Sequence, residues 1–392
     1  MSGYLTLDDI DVSGKRILVR SDLNVPLEGT SVTDDFRIRA ALGTITKLRD
    51  SRAIVTVCSH LGRPKGLDPE FSMKPIAARM QELAGYPVKQ LESVGGVDSV
   101  AAIASAEPGD VFLLENTRFE PGETKNDPDL SDRLAGLCDF FVQDAFGSVH
   151  RAHSSTVGVA ERVKSVAGPL LDSELAALGR FISNPDRPYV VVLGGAKISD
   201  KLAVIQNLLP SVDAMLIGGG MCFTLLAAEG YEIGDSLVEE EMIPVVREIL
   251  EGELGSRIQL PVDMIVADRF AADANNKAVA IEDIAKGWRG LDIGPKSVEL
   301  FSDAVKGAAS VFWNGPMGVF EFEAFRKGTE EIGRAMGECE GFTAVGGGDS
   351  AAALRLLGLE DSVSHLSTGG GAGLELLEGK DLPGVSVLER WV

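Results

Sequence analysis

The feature that most constrains this chain is a series of short apolar runs, each ending in a loop of glycine or of cationic and small polar residues. RILVR (Arg16–Arg20), AIVTVC (Ala53–Cys58), VFLL (Val111–Leu114) and FFVQ (Phe140–Gln143) form a first set. YVVVL (Tyr189–Leu193), AMLI (Ala214–Ile217), MIVA (Met264–Ala267), VFW (Val311–Trp313) and TAV (Thr343–Val345) form a second, with stretches of helical apolar spacing in between. Runs that are apolar throughout suit strands buried on both faces, as in a parallel sheet covered by helices. The chain has 392 residues, 45% of them apolar, enough for more than one core. The expected fold is therefore α/β, with two doubly wound, mainly parallel-sheet (Rossmann-like) domains.

Between the two sets, GPLLDSELAALGRFI places Leu171, Leu175, Leu178 and Ile182 at intervals of four, three and four, as on one helix face. Gly168-Pro169 and Asn184-Pro185 punctuate its ends. The expected organisation is a first domain over 1–167, an interdomain helix or hinge over 168–184 and a second domain over 185–375.

Charge narrows the partners. A formal net charge of -22 repels nucleic acid and anionic membranes, so neither is expected as a partner. Lysine (15) is scarcer than arginine (22), a balance that fits adaptation to a high-salt cytoplasm such as that of a halophilic archaeon. No apolar stretch has membrane-spanning length and the amino terminus carries acids where a signal peptide carries bases, so a cytoplasmic protein is expected. Cys58, Cys138, Cys222 and Cys339 are widely spaced, without the pairing of a zinc site or disulfide framework.

In open parallel sheets ligands bind beyond the carboxyl ends of the strands. The first set ends in SDLNVP, SHLGRPKG, ENTRFEPGE and QDAFGSVHRAHSSTVG. These loops bring Arg63 with His60, Arg118, and Arg151 with His150 and His153, and Arg37 in DDFRIRAAL can join them. One arginine alone reads as a surface ion pair; a series at one sheet edge of so acidic a chain reads as an anion site. Asp22 and Asn24 suit either an Asx turn or a ligand contact. His150 and His153 form an H-x-x-H pair, but no carboxylate or cysteine close in sequence completes a metal site.

The second set ends in GGAKISDK, GGGM, NGPMGVFE, GGGDS and STGGGAG. Glycine lets a ligand approach backbone N–H groups at helix starts, which favours phosphate chains. G-x-x-x-x-G-K-[ST] is absent, as are the protein-kinase signatures, a G-x-S-x-G elbow and H-E-x-x-H. Gly346, Gly348 and Ala351 satisfy G-x-G-x-x-A, yet the next strand ends in another glycine loop rather than the acid of a dinucleotide fold. Lys197 and Lys201, four apart at a strand-to-helix turn, are expected on one face beside Gly194-Gly195, and Asp349 is expected to cap its helix as well as meet a ligand.

An arginine-lined anion site in one half and a glycine-lined nucleotide site in the other describe a phosphotransferase. SDLNVPL, SHLGRPKG, LLENTRFEPGE, HRAHSSTVG, GGAKISDK, LDIGP, WNGPMGVFE, GGGDS and STGGGA resemble, in order, the signature segments of the phosphoglycerate kinase family. The resemblance implies that Asp22, Asn24, Arg37, His60, Arg63, Arg118 and Arg151 hold the phosphoglycerate in the first domain. It implies that Gly195, Lys201, Asn314, Glu321, Gly346, Gly347, Gly348, Asp349 and Ser350 hold ATP or ADP, that Asp349 also holds Mg2+, and that Arg37 and Lys197 stabilise the phosphoryl group in flight. It further implies 3-phosphoglycerate and 1,3-bisphosphoglycerate as substrates and a tail over 376–392 that returns to the first domain; a monomer is expected because the sequence shows no self-complementary apolar patch. The hinge segment GPLLDSEL departs from the family's usual GFLMEKEL-like sequence. A nicotinamide-dependent dehydrogenase would leave the arginine series without a purpose, and a non-enzymatic anion-binding protein would leave the paired lysines and GGGDS unexplained.

Overall fold

The computed structural model describes residues 3–392. The chain divides into two compact units, one holding the residues up to Ala176 together with Asp381–Val392, the other Ala177–Lys380. The division falls inside the Pro169–Ser183 helix.

The first unit contains β1 (Arg16–Arg20), the antiparallel pair β2 (Leu27–Glu28) and β3 (Ser31–Val32), β4 (Ile54–Cys58), β5 (Lys89–Gln90), β6 (Val111–Leu113), β7 (Phe140–Gln143) and β8 (Ser165–Ala167). Six of these form a parallel sheet in the order β5-β6-β4-β1-β7-β8. Side chains alternate across it: Ile17 and Val19 enter one core with Val55 and Val57, while Leu18 enters the opposite core with Phe112 and Phe141. All are buried, so β1 has no polar face to signal and its run is uninterrupted. The carboxyl-terminal residues close on this unit through Trp391 Nε1, which donates to Ala160 O at 2.8 Å.

The second unit contains β9 (Tyr189–Leu193), β10 (Ala214–Ile217), β11 (Ile258–Gln259), β12 (Asp263–Ala267), β13 (Asn276–Ala280), β14 (Arg289–Ile293), β15 (Ser310–Asn314), β16 (Phe342–Gly346) and β17 (His365–Leu366). The parallel sheet runs β11-β10-β9-β15-β16-β17. MIVA does not belong to it. That run forms β12, the centre of an antiparallel β13-β12-β14 sheet, because a short apolar run fixes burial but not strand direction.

The chain thus has two doubly wound sheets, each with a switch point where strand order reverses, between β1 and β7 and between β9 and β15. Register aligns Arg20 with Cys58 and Gln143 in the first, and Asn314 with Leu193 and Gly346 in the second. The Pro169–Ser183 helix buries Leu171, Glu174, Leu178 and Phe181, whereas Leu175 is only partly buried and Ile182 is 39% exposed. Its inner face is therefore rotated from the one expected, since Phe181 stacks on Tyr189 and neighbours Phe312 and Phe342. The helix start is set by Asp144 beyond β7, whose Oδ1 accepts from the N–H groups of Leu170 and Leu171 at 2.9 and 3.2 Å.

Candidate active site

At the first switch point the organiser is Arg20, a fully buried residue that sequence reasoning passed over as the end of a strand. Its guanidinium donates to Ser155 Oγ at 3.0 Å, to Ser59 Oγ at 3.4 Å and to the carbonyl of Ser21. Nη2 lies 3.0 Å from His60 Nδ1. Arginine only donates, so His60 Nδ1 accepts and the ring proton of a neutral His60 sits on Nε2. Burial and then the charges of Arg20, Arg118 and Arg151 hold the His60 pKa well below its ordinary value, so the ring is neutral at pH 7.

The same field reaches the neighbours. Burial, with Arg20, Arg118 and Arg151, lowers His153 to about 4. Arg118 itself is lowered, by burial and then by Arg151, Arg20 and, more weakly, Arg63, and its Nε is buried without a hydrogen-bond partner. Glu123 is the buried acid of the cluster; it accepts from Ser155 N at 3.1 Å and Ser155 Oγ, and lies 3.8 Å from His153 Nδ1. A carboxylate remote in sequence therefore stands beside His153 of the H-x-x-H pair, and among the described residues no group of three or more such side chains could hold a metal ion. One acid against four arginines leaves a positive potential that destabilises its own cations, as an anion site does.

Arg37 joins at the edge, donating to Asn24 O at 2.9 Å and to Asp22 Oδ1 at 3.4 Å. Asp22 Oδ1 also accepts from Asn24 N at 3.4 Å, the Asx turn, and Asn24 Oδ1 accepts from Gly62 N at 2.8 Å. Arg118 donates to Gly62 O, so the loops after β1, β4 and β6 are tied together. Arg63 is exposed and lines a groove of about 390 Å³ with Lys65 and Arg118.

In the second unit Lys201 is buried, donating to Gly194 O at 2.6 Å and Asn314 O at 2.7 Å across the switch point. Burial lowers it to about 8, against the opposing charges of Asp349 and Asp200. The helix begins only at Leu202, so Lys197 shares no helical face with Lys201. Lys197 is exposed instead. The pair thus divides into one buried and one exposed cation.

Ser350 Oγ accepts from Gly315 N at 2.6 Å. Asp349 is not the helix cap; Gly347 occupies that position with φ +93°, and Asp349 stands exposed in the first turn of Gly348–Leu356. A Cβ on Gly347 would lie 2.8 Å from Asn314 Nδ2, a buried donor without a protein partner. An orphaned donor beside a glycine-capped helix start fits an anionic oxygen.

Gly195, Glu321 and Asp349 line one cavity of about 560 Å³, whose wall also includes Gly219, Gly220, Phe223, Leu237, Leu291 and Val319. Lys201, Asn314, Gly346, Gly347, Gly348 and Ser350 are not in that wall. The apolar wall was missed because it is assembled from separate segments; GGGM, which brings Gly219 and Gly220, was its one visible trace. A Cβ on Gly290 would lie 2.0 Å from Phe223 Cζ, so β14 and the Cys222–Glu229 helix meet at a distance only glycine permits.

Comparison with known proteins agrees with this geometry. The family model for phosphoglycerate kinase matches residues 7–380. The chain is 53% identical over 381 residues to the phosphoglycerate kinase of Rubrobacter xylanophilus, covering 97% of both chains. It is 54% identical over 398 residues to that of Frankia casuarinae, covering 98% and 99%. The structure of phosphoglycerate kinase from Coxiella burnetii aligns with a TM-score of 0.89 at 40% identity, covering 99% of each chain. These relatives are bacterial, which gives no support to the archaeal source suggested by composition. By sequence along almost its whole length and by fold, the chain belongs to the phosphoglycerate kinase family.

Proposed function

We propose that the protein catalyses reversible phosphoryl transfer from 1,3-bisphosphoglycerate to Mg-ADP, giving 3-phosphoglycerate and ATP. The observation that carries this reading is the cluster around Arg20, His60 and Arg118, in which burial and then the neighbouring cations lower His60 and Arg118, in a chain of net charge -22. An under-neutralised cluster of this kind is matched by a ligand with phosphate and carboxylate oxygens. Arg63, Arg118 and Arg151 bind those oxygens, neutral His60 donates from Nε2, and Asp22 and Asn24 orient the glycerate.

The cavity in the second unit takes the nucleotide, its base against Phe223, Leu237, Leu291 and Val319 and its ribose toward Glu321. Gly195, Lys201, Asn314 and the turn from Gly346 to Ser350 hold the phosphates. Asp349, acidic, exposed and in the cavity wall, suits a magnesium ion, which supplies charge neutralisation on the nucleotide phosphates.

Toward ATP the nucleophile is a carboxylate with a pKa near ~4, already ionised at pH 7, so the reaction needs no general base. This agrees with His60 and His153 being uncharged. Arg37 and Lys197 place positive charge against the negative charge spread over the equatorial oxygens of the transferring group. Direct in-line transfer requires closure about the 168–184 hinge, and the protein acts as a cytoplasmic monomer in glycolysis. A coupled assay with 3-phosphoglycerate and Mg-ATP tests the reading; absence of ADP production dependent on 3-phosphoglycerate refutes it.

A further inference from the structure

We infer that Glu239 is a positioning residue for Lys197, fixing the loop that carries this cation without neutralising it. The inference rests on the role of Lys197 in the proposed reaction. Lys197 lies in the segment between β9 and the Leu202–Leu208 helix. Gly195 anchors one end of that segment, donating to Pro316 O at 2.9 Å and accepting from Met221 N at 3.0 Å. Lys201 anchors the other.

Between these anchors, Ile198 is buried and Ser199 makes the tie to another element. Ser199 N donates to Glu239 Oε2 at 3.1 Å and Ser199 Oγ donates to Glu239 Oε1. Glu239 is itself held, because its backbone N–H donates at 3.1 Å to Oγ1 of buried Thr224 in the Cys222–Glu229 helix. A chain of contacts thus runs from a helix behind the nucleotide cavity, through Glu239 and Ser199, to the residue two before Ser199.

The electrostatics match that role. Burial raises the Glu239 carboxyl, but Ser199, the N–H of Ile198 and the charge of Lys197 outweigh it and hold the group below its ordinary value. Glu239 is therefore ionised at neutral pH. Both of its oxygens are occupied by Ser199, and among the described residues the exposed Lys197 ammonium forms no ion pair, acting on Glu239 through its charge. A carboxylate that bonds the backbone beside a lysine sets where the lysine starts from and leaves its charge for the ligand.

The test is a double-mutant cycle on kcat at saturating 3-phosphoglycerate and Mg-ATP. Misplacing a reacting charge by about 1 Å costs on the order of a hundredfold, so Glu239→Ala is expected to lower kcat about tenfold or more, with KM for ATP changing less. In the Lys197→Ala background the same substitution is expected to cost less than about twofold, since nothing remains to position. Glu239→Gln, which keeps an oxygen acceptor for Ser199, should recover most of the loss. Equal losses in the two backgrounds, or a change confined to KM, overturn the inference. If Lys197→Ala by itself leaves kcat normal, the assigned role of Lys197 fails and the inference falls with it, whereas additive losses refute the positioning alone. Should Glu239→Ala not yield folded protein, Ser199→Ala removes the hydroxyl from the other side and is carried through the same cycle.

Discussion

Nucleotide binding is expected to take up a proton at mildly alkaline pH, and Lys201 is the reason. Buried, with the carbonyls of Gly194 and Asn314 as hydrogen-bond acceptors, it is lowered to about 8. At pH 8.5 roughly a quarter of the free protein then carries the proton, and phosphate oxygens that return the group toward ~10.4 draw in about 0.7 proton per nucleotide. Near pH 7 the uptake falls to about 0.1, because the lysine is already charged. Titration calorimetry of Mg-ADP in buffers of different ionisation enthalpy, from pH 6.5 to 9.5 at about 0.15 M salt, reads the number directly. Lys201→Met should abolish the alkaline rise. Uptake that is flat with pH, or that persists in Lys201→Met, refutes the assignment. The sign extends to stability. Between about pH 8 and ~10.4 the unfolded lysine keeps a proton that the folded one loses, so this group makes the free protein more stable as pH rises through that window. The difference in stability between wild type and Lys201→Met should follow that slope in urea titrations.

Arg37→Ala and Lys197→Ala are each expected to lower kcat about a hundredfold or more while raising KM far less, since their charges act chiefly in the transition state; near-normal kcat in both rejects their role. Gly168→Ala would put a Cβ 2.2 Å from Asp144 Oδ1, the oxygen that receives Leu170 and Leu171, and should cost about 2–4 kcal/mol in urea unfolding. With 59 acidic against 37 basic residues, melting temperature should rise from low to molar KCl; a flat or falling curve rejects self-repulsion as a limit on stability. Solution X-ray scattering should give a smaller radius of gyration with both substrates bound than with either one, and an unchanged radius rejects closure.

What was legible in the sequence followed from local physics. RILVR and YVVVL stand out because both faces of each strand are buried, and the loops after them are where ligands are expected because they lie beyond the carboxyl ends of parallel strands. MIVA was misplaced because the same apolar signature serves the centre of an antiparallel sheet. The helix from Pro169 was recognised, but its buried face includes Glu174 and Phe181, and leucine spacing alone pointed elsewhere. The spacing of Lys197 and Lys201 put them on one helical face, but the helix begins only at Leu202. Arg20 had one available signal, a charged residue closing an apolar strand at the ligand-binding edge. The apolar cavity wall had almost none, since residues 219–223, 235–237, 289–292 and 316–321 become neighbours only through the fold.

A chain of net charge -22 that recruits two anionic substrates faces a conflict between its far field and its near field. Screening separates them: at about 0.15 M ionic strength the Debye length is ~8 Å, so acids on distant surfaces contribute little inside the site. Within that range Arg20, Arg118 and Arg151 dominate, and the full burial of Arg20 and partial burial of Arg118 and Arg151 limit solvent screening. The cost falls on the free protein, where partly buried cations repel one another and His60 and His153 are kept neutral. On the proposed assignment, arrival of a phosphate offsets that repulsion, so ligand binding and stabilisation of the fold draw on the same interactions. Replacing the arginines with neutral donors would relieve the strain and remove the attraction together. The buried Arg20 therefore serves two ends at once, holding the serines and His60 that shape the site and supplying a charge whose hydrogen-bond partners there are neutral.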